Sequence, residues 1–97
     1  MKILVPGGLG CMGSNLIRHL LTNQPAYTIW NLDVITYAGN PDNLKDIEEF
    51  EKDLPIHKKR YHFVRGDICD ERLLEYLLGE QKFDAIISNM KIAILGF

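Results

Sequence analysis

Three glycines at a spacing of three, Gly7, Gly10 and Gly13, carry the clearest chemical signal in the chain. An apolar run, Ile3-Leu4-Val5, leads into them, and a helix-like run, Ser14 to Leu21, follows. A strand, a glycine turn and a helix in that order make a cradle for phosphate. Gly7 permits the sharp exit from the strand, because glycine tolerates positive φ. Gly10 has no Cβ, so a pyrophosphate can reach the backbone there. Gly13 lets the helix pack closely against the strand. The open N–H groups of the first helical turn, around Cys11 and Met12, and the positive end of the helix dipole then face the anion.

A carboxylate completes the pattern. Asp33 closes the second apolar run, 20 positions beyond Gly13. In dinucleotide-binding folds a carboxylate at that place accepts from the adenosine ribose hydroxyls. It would repel a 2′-phosphate, and the following Val34, Ile35 and Thr36 bring no cation, so these residues favour NAD over NADP. Asp33 alone would read equally well as a strand-end turn residue; the glycine turn upstream favours the site. Asp67-Ile68 ends a third run, beside the expected adenine position. Asp67 can accept from the exocyclic amine while Ile68 covers the ring. The plainer reading of Asp67 is a turn residue after Gly66; the adenine reading is favoured over it, resting partly on a family resemblance.

The elements that must position these groups alternate strand and helix. Strands are expected at about 2–5, 27–32, 60–65 and 83–88. Helices are expected at about 11–21, from Asn40 onward, and at 71–78. Asn40 can cap the second helix, with Pro41 at its first position and Leu44, Ile47 and Phe50 as its apolar stripe. Asp70 can cap the third, and Gly79 can end it. This β-α-β-α-β-α-β order implies an α/β fold with a Rossmann-like parallel sheet of order 3-2-1-4. The apolar run Ile92 to Leu95 could add a further strand; without it the fourth strand becomes a bare edge, open to self-association.

Composition bounds the function classes. The chain has 97 residues, enough for one small domain with a modest core. A net charge of −2 argues against general nucleic-acid or membrane affinity. The basic run His57-Lys58-Lys59-Arg60 reads best as a solvated strand entrance. Cys11 and Cys69 form no CxxC pair and no zinc-like spacing with the histidines, which fits a reducing cytoplasm and no metal site. Cys11 at a helix N-terminus could be an acidified thiol, but the favoured reading is a small buried hydrophobe. No apolar run is long enough for a membrane span, and no secretion signal is visible.

The motifs together resemble the extended short-chain dehydrogenase/reductase family, in its NAD-dependent nucleotide-sugar epimerase/dehydratase branch. The resemblance rests on the glycine turn with Gly13-Ser14-Asn15, on Asn31-Leu32-Asp33, on Tyr61 to Asp70, and on Phe83 to Ile87. Thr36-Tyr37-Ala38-Gly39-Asn40 resembles the 4,6-dehydratases, whose substrate is dTDP-glucose, more than the epimerases. It implies NAD as cofactor and a lyase as the parent activity. In that chemistry a Tyr tuned by a Lys four residues on deprotonates the sugar, and an Asp/Glu pair eliminates water.

None of those catalytic groups can be assigned. Four places after Tyr27, Tyr37, Tyr61 and Tyr76 stand Asn31, Pro41, Arg65 and Glu80, never Lys. Pro6, Cys11-Met12 and Val34 depart from the family pattern. Pro6 removes a backbone donor, which is tolerable only where that N–H would be unpaired. The family-like stretch runs to about 87; the tail 88–97 diverges, as a frameshift or premature stop would make it. The resulting expectation is an N-terminal NAD-binding Rossmann domain over 1–97, without a substrate domain and inactive alone. The alternatives are a stand-alone dinucleotide-binding module and an interaction protein pairing through its sheet edge.

Overall fold

A computed structural model describes residues 1–35, 40–88 and 91–95. Thr36 of the expected cofactor set lies outside the described residues, as do Tyr37, Ala38 and Gly39 and the tail positions 89–90 and 96–97. The strands are β1 (Lys2–Pro6), β2 (Thr28–Asp33), β3 (Tyr61–Arg65), β4 (Ala85–Ser88) and β5 (Lys91–Ile94). The helices are α1 (Cys11–Asn23), α2 (Lys45–Glu51) and α3 (Glu71–Gln81). They form one five-stranded sheet of order β3-β2-β1-β4-β5. The first four strands are parallel, in the expected 3-2-1-4 order.

The fourth strand is not the edge. β5 pairs antiparallel with it, Ala85 opposite Ile94 and Ser88 opposite Lys91. Only two positions separate these strands, too few for a crossover, so the chain can only fold back on itself. Every residue of β5 is exposed.

Strand alternation sorts the core into two layers. Ile3, Val5, Ile29 and Ala85 pack with Ile17 of α1 and with Leu44, just before α2. Leu4 and Leu32 face the other way, onto Leu77 of α3 and Phe83. Pro6 fits because of where its nitrogen points. Gly7 N donates to Leu32 O and Asp84 N donates to Lys2 O. Alternation therefore turns the nitrogen of Pro6 towards β4, past the last paired residues Leu4 and Ile86.

Two helix expectations are corrected. Gly79 does not stop α3, which continues to Gln81; the chain turns instead at Lys82, in the left-handed region at φ 50°. Of the expected stripe, Leu44, just before α2, is fully buried, but Phe50 is 88% exposed. The helix buries Glu51 instead, because its carboxylate accepts from the amides of Arg60 (2.9 Å) and Tyr61 (3.0 Å) at the start of β3. Asn40 caps a 3-10 turn, Pro41–Leu44, that leads into α2, its side chain accepting from Asp42 N. Asp70 caps α3 as expected, accepting from Leu73 N. The basic run serves the strand entrance: the Arg60 guanidinium donates to the carbonyls of Leu21, Gln24 and Tyr27.

Candidate cofactor site

The C-terminal ends of β1, β2 and β3 meet at one end of the sheet, where doubly wound folds take their ligands. Gly7 leaves β1 at φ 72°, a conformation that L side chains disfavour. Its N–H donates to Leu32 O, and Gly10 N donates back to Gly7 O, closing the turn. Gly10 caps α1 without a side-chain bond. Ser14 N is the first helical amide to find a carbonyl, that of Gly10 at 2.8 Å. Among the described residues the amides of Cys11, Met12 and Gly13 have no acceptor. Three open donors at the positive end of a 13-residue helix suit an anion.

Each glycine has its own reason. A Cβ on Gly10 would meet nothing closer than Gly7 O at 3.5 Å, so that side of the turn is open to a ligand. A Cβ on Gly13 would lie 2.5 Å from Gly7 O and 2.8 Å from Gly8 Cα, so this glycine is needed for packing. Gly8 escaped the sequence reading. A Cβ there would overlap Asn31 Oδ1 and sit 2.5 Å from Ile17 Cδ1.

The turn is gripped by side chains from outside it. Gly8 N donates to Asn31 Oδ1 at 2.9 Å, and Asn31 Nδ2 donates to the Tyr61 hydroxyl at 3.0 Å. Leu9 N donates to Asp33 Oδ2 at 2.8 Å. Leu9 O accepts from Asn43 Nδ2 at 2.8 Å and from Asn40 N at 3.2 Å. Asn31, Asn43 and Tyr61 were therefore missed as site-supporting residues. A signal for Asn31 was present: it interrupts an apolar run two places before Asp33, on the same face of the strand. Burial pushes the Tyr61 hydroxyl up to about 12, against the lowering effect of its bond to Asn31.

Asp33 is buried, and both its oxygens are used. Oδ1 accepts from Ile35 N at 2.8 Å while Oδ2 holds Leu9. A carboxylate has about four acceptor positions, so it retains capacity for ribose hydroxyls. Ile35 is held at φ 59°, which is unusual for a β-branched residue. Beside Asp33 lies a cleft of about 150 Å3, walled by Gly7, Asp33, Val34, Gly66, Asp67 and Ile68. The structure thus brings the expected ribose and adenine residues together. Asp67 is a turn residue, its Oδ1 accepting from Cys69 N, and it also lines the cleft. A larger hollow of about 630 Å3 lies along Trp30, Tyr61 and His62, away from the strand ends.

Cys11 is exposed, not buried as favoured from the sequence. It sits in the first turn of α1, whose buried residues are Ser14 and Ile17. Met12, at 65%, is also exposed. Among the described residues no helix is long and apolar enough to cross a membrane.

Parallel strands in 3-2-1-4 order, crossed over by helices and opening on a glycine turn, define a Rossmann-type α/β domain. The family model for GDP-mannose 4,6 dehydratase matches residues 4–89, and the chain belongs to that family. It is 38% identical over 87 residues to the dTDP-glucose 4,6-dehydratase of Salmonella typhimurium, covering 90% of this chain and 22% of that protein. It is 34% identical over 86 residues to the human dTDP-D-glucose 4,6-dehydratase, with 89% and 22% covered. Among solved structures it is similar to the dTDP-glucose 4,6-dehydratase of Bacillus anthracis in complex with NAD. The TM-score there is 0.79 at 36% identity, covering 92% of this chain and 26% of that one. The chain spans about a fifth of the length of the curated relatives it matches.

Proposed function

We propose that this chain holds NAD, as the cofactor-binding N-terminal portion of a dTDP-glucose 4,6-dehydratase-like protein of nucleotide-sugar metabolism. The single observation that carries the reading is the juxtaposition of three open amides, at Cys11, Met12 and Gly13, with a buried Asp33 tied to the same turn. The amides would hold the pyrophosphate, with Gly10 leaving room for it. Asp33 would hold the adenosine ribose, and Asp67 and Ile68 would border adenine, with Val34 and Ile35 beside them. When bound, NAD supplies a hydride acceptor; the residues of this chain bind and orient it. The name of the Bacillus anthracis neighbour, a complex with NAD, supports the choice of dinucleotide.

The 97 residues contain no Tyr with a Lys four places on, so no catalytic residue is assigned, and this stretch alone turns over no sugar nucleotide. Calorimetric titration with NAD, ADP-ribose and NADP tests the reading. NAD and ADP-ribose should bind with similar affinity and NADP much more weakly. Equal affinities for NAD and NADP would remove the role given to Asp33. Turnover of dTDP-glucose by this chain would overturn the claim that it is inactive.

A second reading has its own observation. β5 carries Ile92 and Ile94 at 66% and 68% exposure on the outermost strand. Such an edge suits pairing with another strand, and self-association there is compatible with NAD binding at the far ends of β1 to β3.

A further inference from the structure

We propose that Asn31 is the positioning residue of the phosphate-binding turn, setting its shape through Gly8 and held in place by Tyr61 on β3. The proposal rests on the NAD reading above and adds to it a residue that touches no ligand.

Asn31 is fully buried in the middle of the sheet, where an uncharged polar side chain survives only if its donors and acceptors are met. Its carboxamide spans two elements. The oxygen accepts the Gly8 amide at 2.9 Å, and the nitrogen donates to the Tyr61 hydroxyl at 3.0 Å. The Gly8 amide can only donate, so it fixes which end of the carboxamide faces it, since a flipped amide would set NH2 against N–H; the Tyr61 hydroxyl then accepts from the nitrogen and holds the group in place. The fit is mutual. The space that Asn31 fills, with Ile17 beside it, is the space that a side chain at position 8 would need, so Gly8 is glycine because of these two neighbours. Asp33 then takes the next amide, Leu9 N, from the same strand face. With the Gly8 and Leu9 amides committed, the amides left open are those of Cys11, Met12 and Gly13. Asn31 thus determines which donors remain for a diphosphate.

The test uses the 97-residue chain, Asn31→Ala and the milder Tyr61→Phe. Amide hydrogen exchange without ligand reads the turn directly. The Gly8 amide should be protected in the wild type and lose about tenfold of that protection in each variant, while Ile29 and Leu32 stay protected. NMR titration with ADP-ribose and adenosine reads the consequence. Both variants should weaken ADP-ribose by about tenfold and adenosine by less than about twofold, because only ADP-ribose needs the turn. Equal weakening of both ligands, or Gly8 protection unchanged in Tyr61→Phe, would overturn the proposal. If Asn31→Ala does not fold, Tyr61→Phe decides by the same two readouts. A wild-type chain that binds neither NAD nor ADP-ribose would sink the NAD reading. Gly8 exchange in the two variants would still decide whether Asn31 holds the turn.

Discussion

Asp33 Oδ2 accepts the Leu9 amide at 2.8 Å, across 24 residues of sequence, and so fastens the end of β2 to the glycine turn. Its other oxygen accepts from Ile35 N at 2.8 Å. The carboxylate is therefore structural before it meets any ligand. Asp33→Asn would turn an NH2 group against one of these two donors. We expect a loss of about 1–3 kcal/mol in urea unfolding, together with weaker NAD binding. Unchanged stability would mean that one of the two bonds is absent.

Gly10 and Gly13 should separate fold from binding. Gly10→Ala places its Cβ in open space, 3.5 Å from Gly7 O, and should leave the melting temperature nearly unchanged while weakening ADP-ribose. Gly13→Ala drives a Cβ to 2.5 Å from Gly7 O and should destabilise the fold itself, by about 1–3 kcal/mol. Thermal melts beside titrations measure both, and the reverse ranking would refute the division of labour.

Stability should fall at both ends of the pH range, for two different groups. Tyr61 is raised to about 12 by burial, so the unfolded chain gives up this proton first, near 10. Its contribution is complete below pH 10 and declines up to about 12, by an amount on the order of 2 kcal/mol. Tyr61→Phe should flatten that alkaline limb. His62 is shifted downward by burial, so the unfolded chain protonates first on acidification and stability falls below about pH 6.5. Urea unfolding across the range reads both limbs; a flat alkaline limb in the wild type would contradict the burial of Tyr61.

Glu51 should matter more than the helix it ends. Its side chain receives the amides of Arg60 and Tyr61 where β3 begins. Glu51→Ala leaves those donors unpaired, at a cost of about 1–3 kcal/mol. Hydrogen exchange should quicken at Arg60 and Tyr61 before it does in β1. Uniform quickening across the sheet would argue against a local role.

The β5 edge should make the chain associate at high concentration. Ile92→Lys, which puts a charge on the exposed strand, should keep it monomeric in sedimentation velocity. A wild-type chain that stays monomeric at millimolar concentration would exclude edge pairing.

Much of this architecture was legible in the sequence because local signals agreed with one another. The apolar runs, the Asn40 and Asp70 caps and the glycine spacing all pointed to the same order of elements. Legibility failed where a long-range bond outweighed a local preference. Glu51 is buried and Phe50 exposed because two amides of β3 capture the carboxylate. Gly79 reads as a stop, yet the turn falls at Lys82. Asn31 was not read as a support of the turn, because its partners lie 23 and 30 residues away. Cys11 was misjudged because average burial describes cysteines in cores, and this one stands exposed at the start of a helix.

Leu9 lies where three separate stretches of chain converge: its amide is held by β2, its carbonyl by the 3-10 turn before α2, and its side chain is buried in the core. A molecule seated on the neighbouring amides would brace that junction, so occupancy and resistance to heat are coupled by mass action. At a concentration one hundred times its dissociation constant, such a molecule would add about 2.7 kcal/mol. Set against the roughly 5–15 kcal/mol by which folded domains are held, that is a large share, and if the molecule is the proposed dinucleotide, a cell rich in it would hold more of the chain folded than one depleted of it.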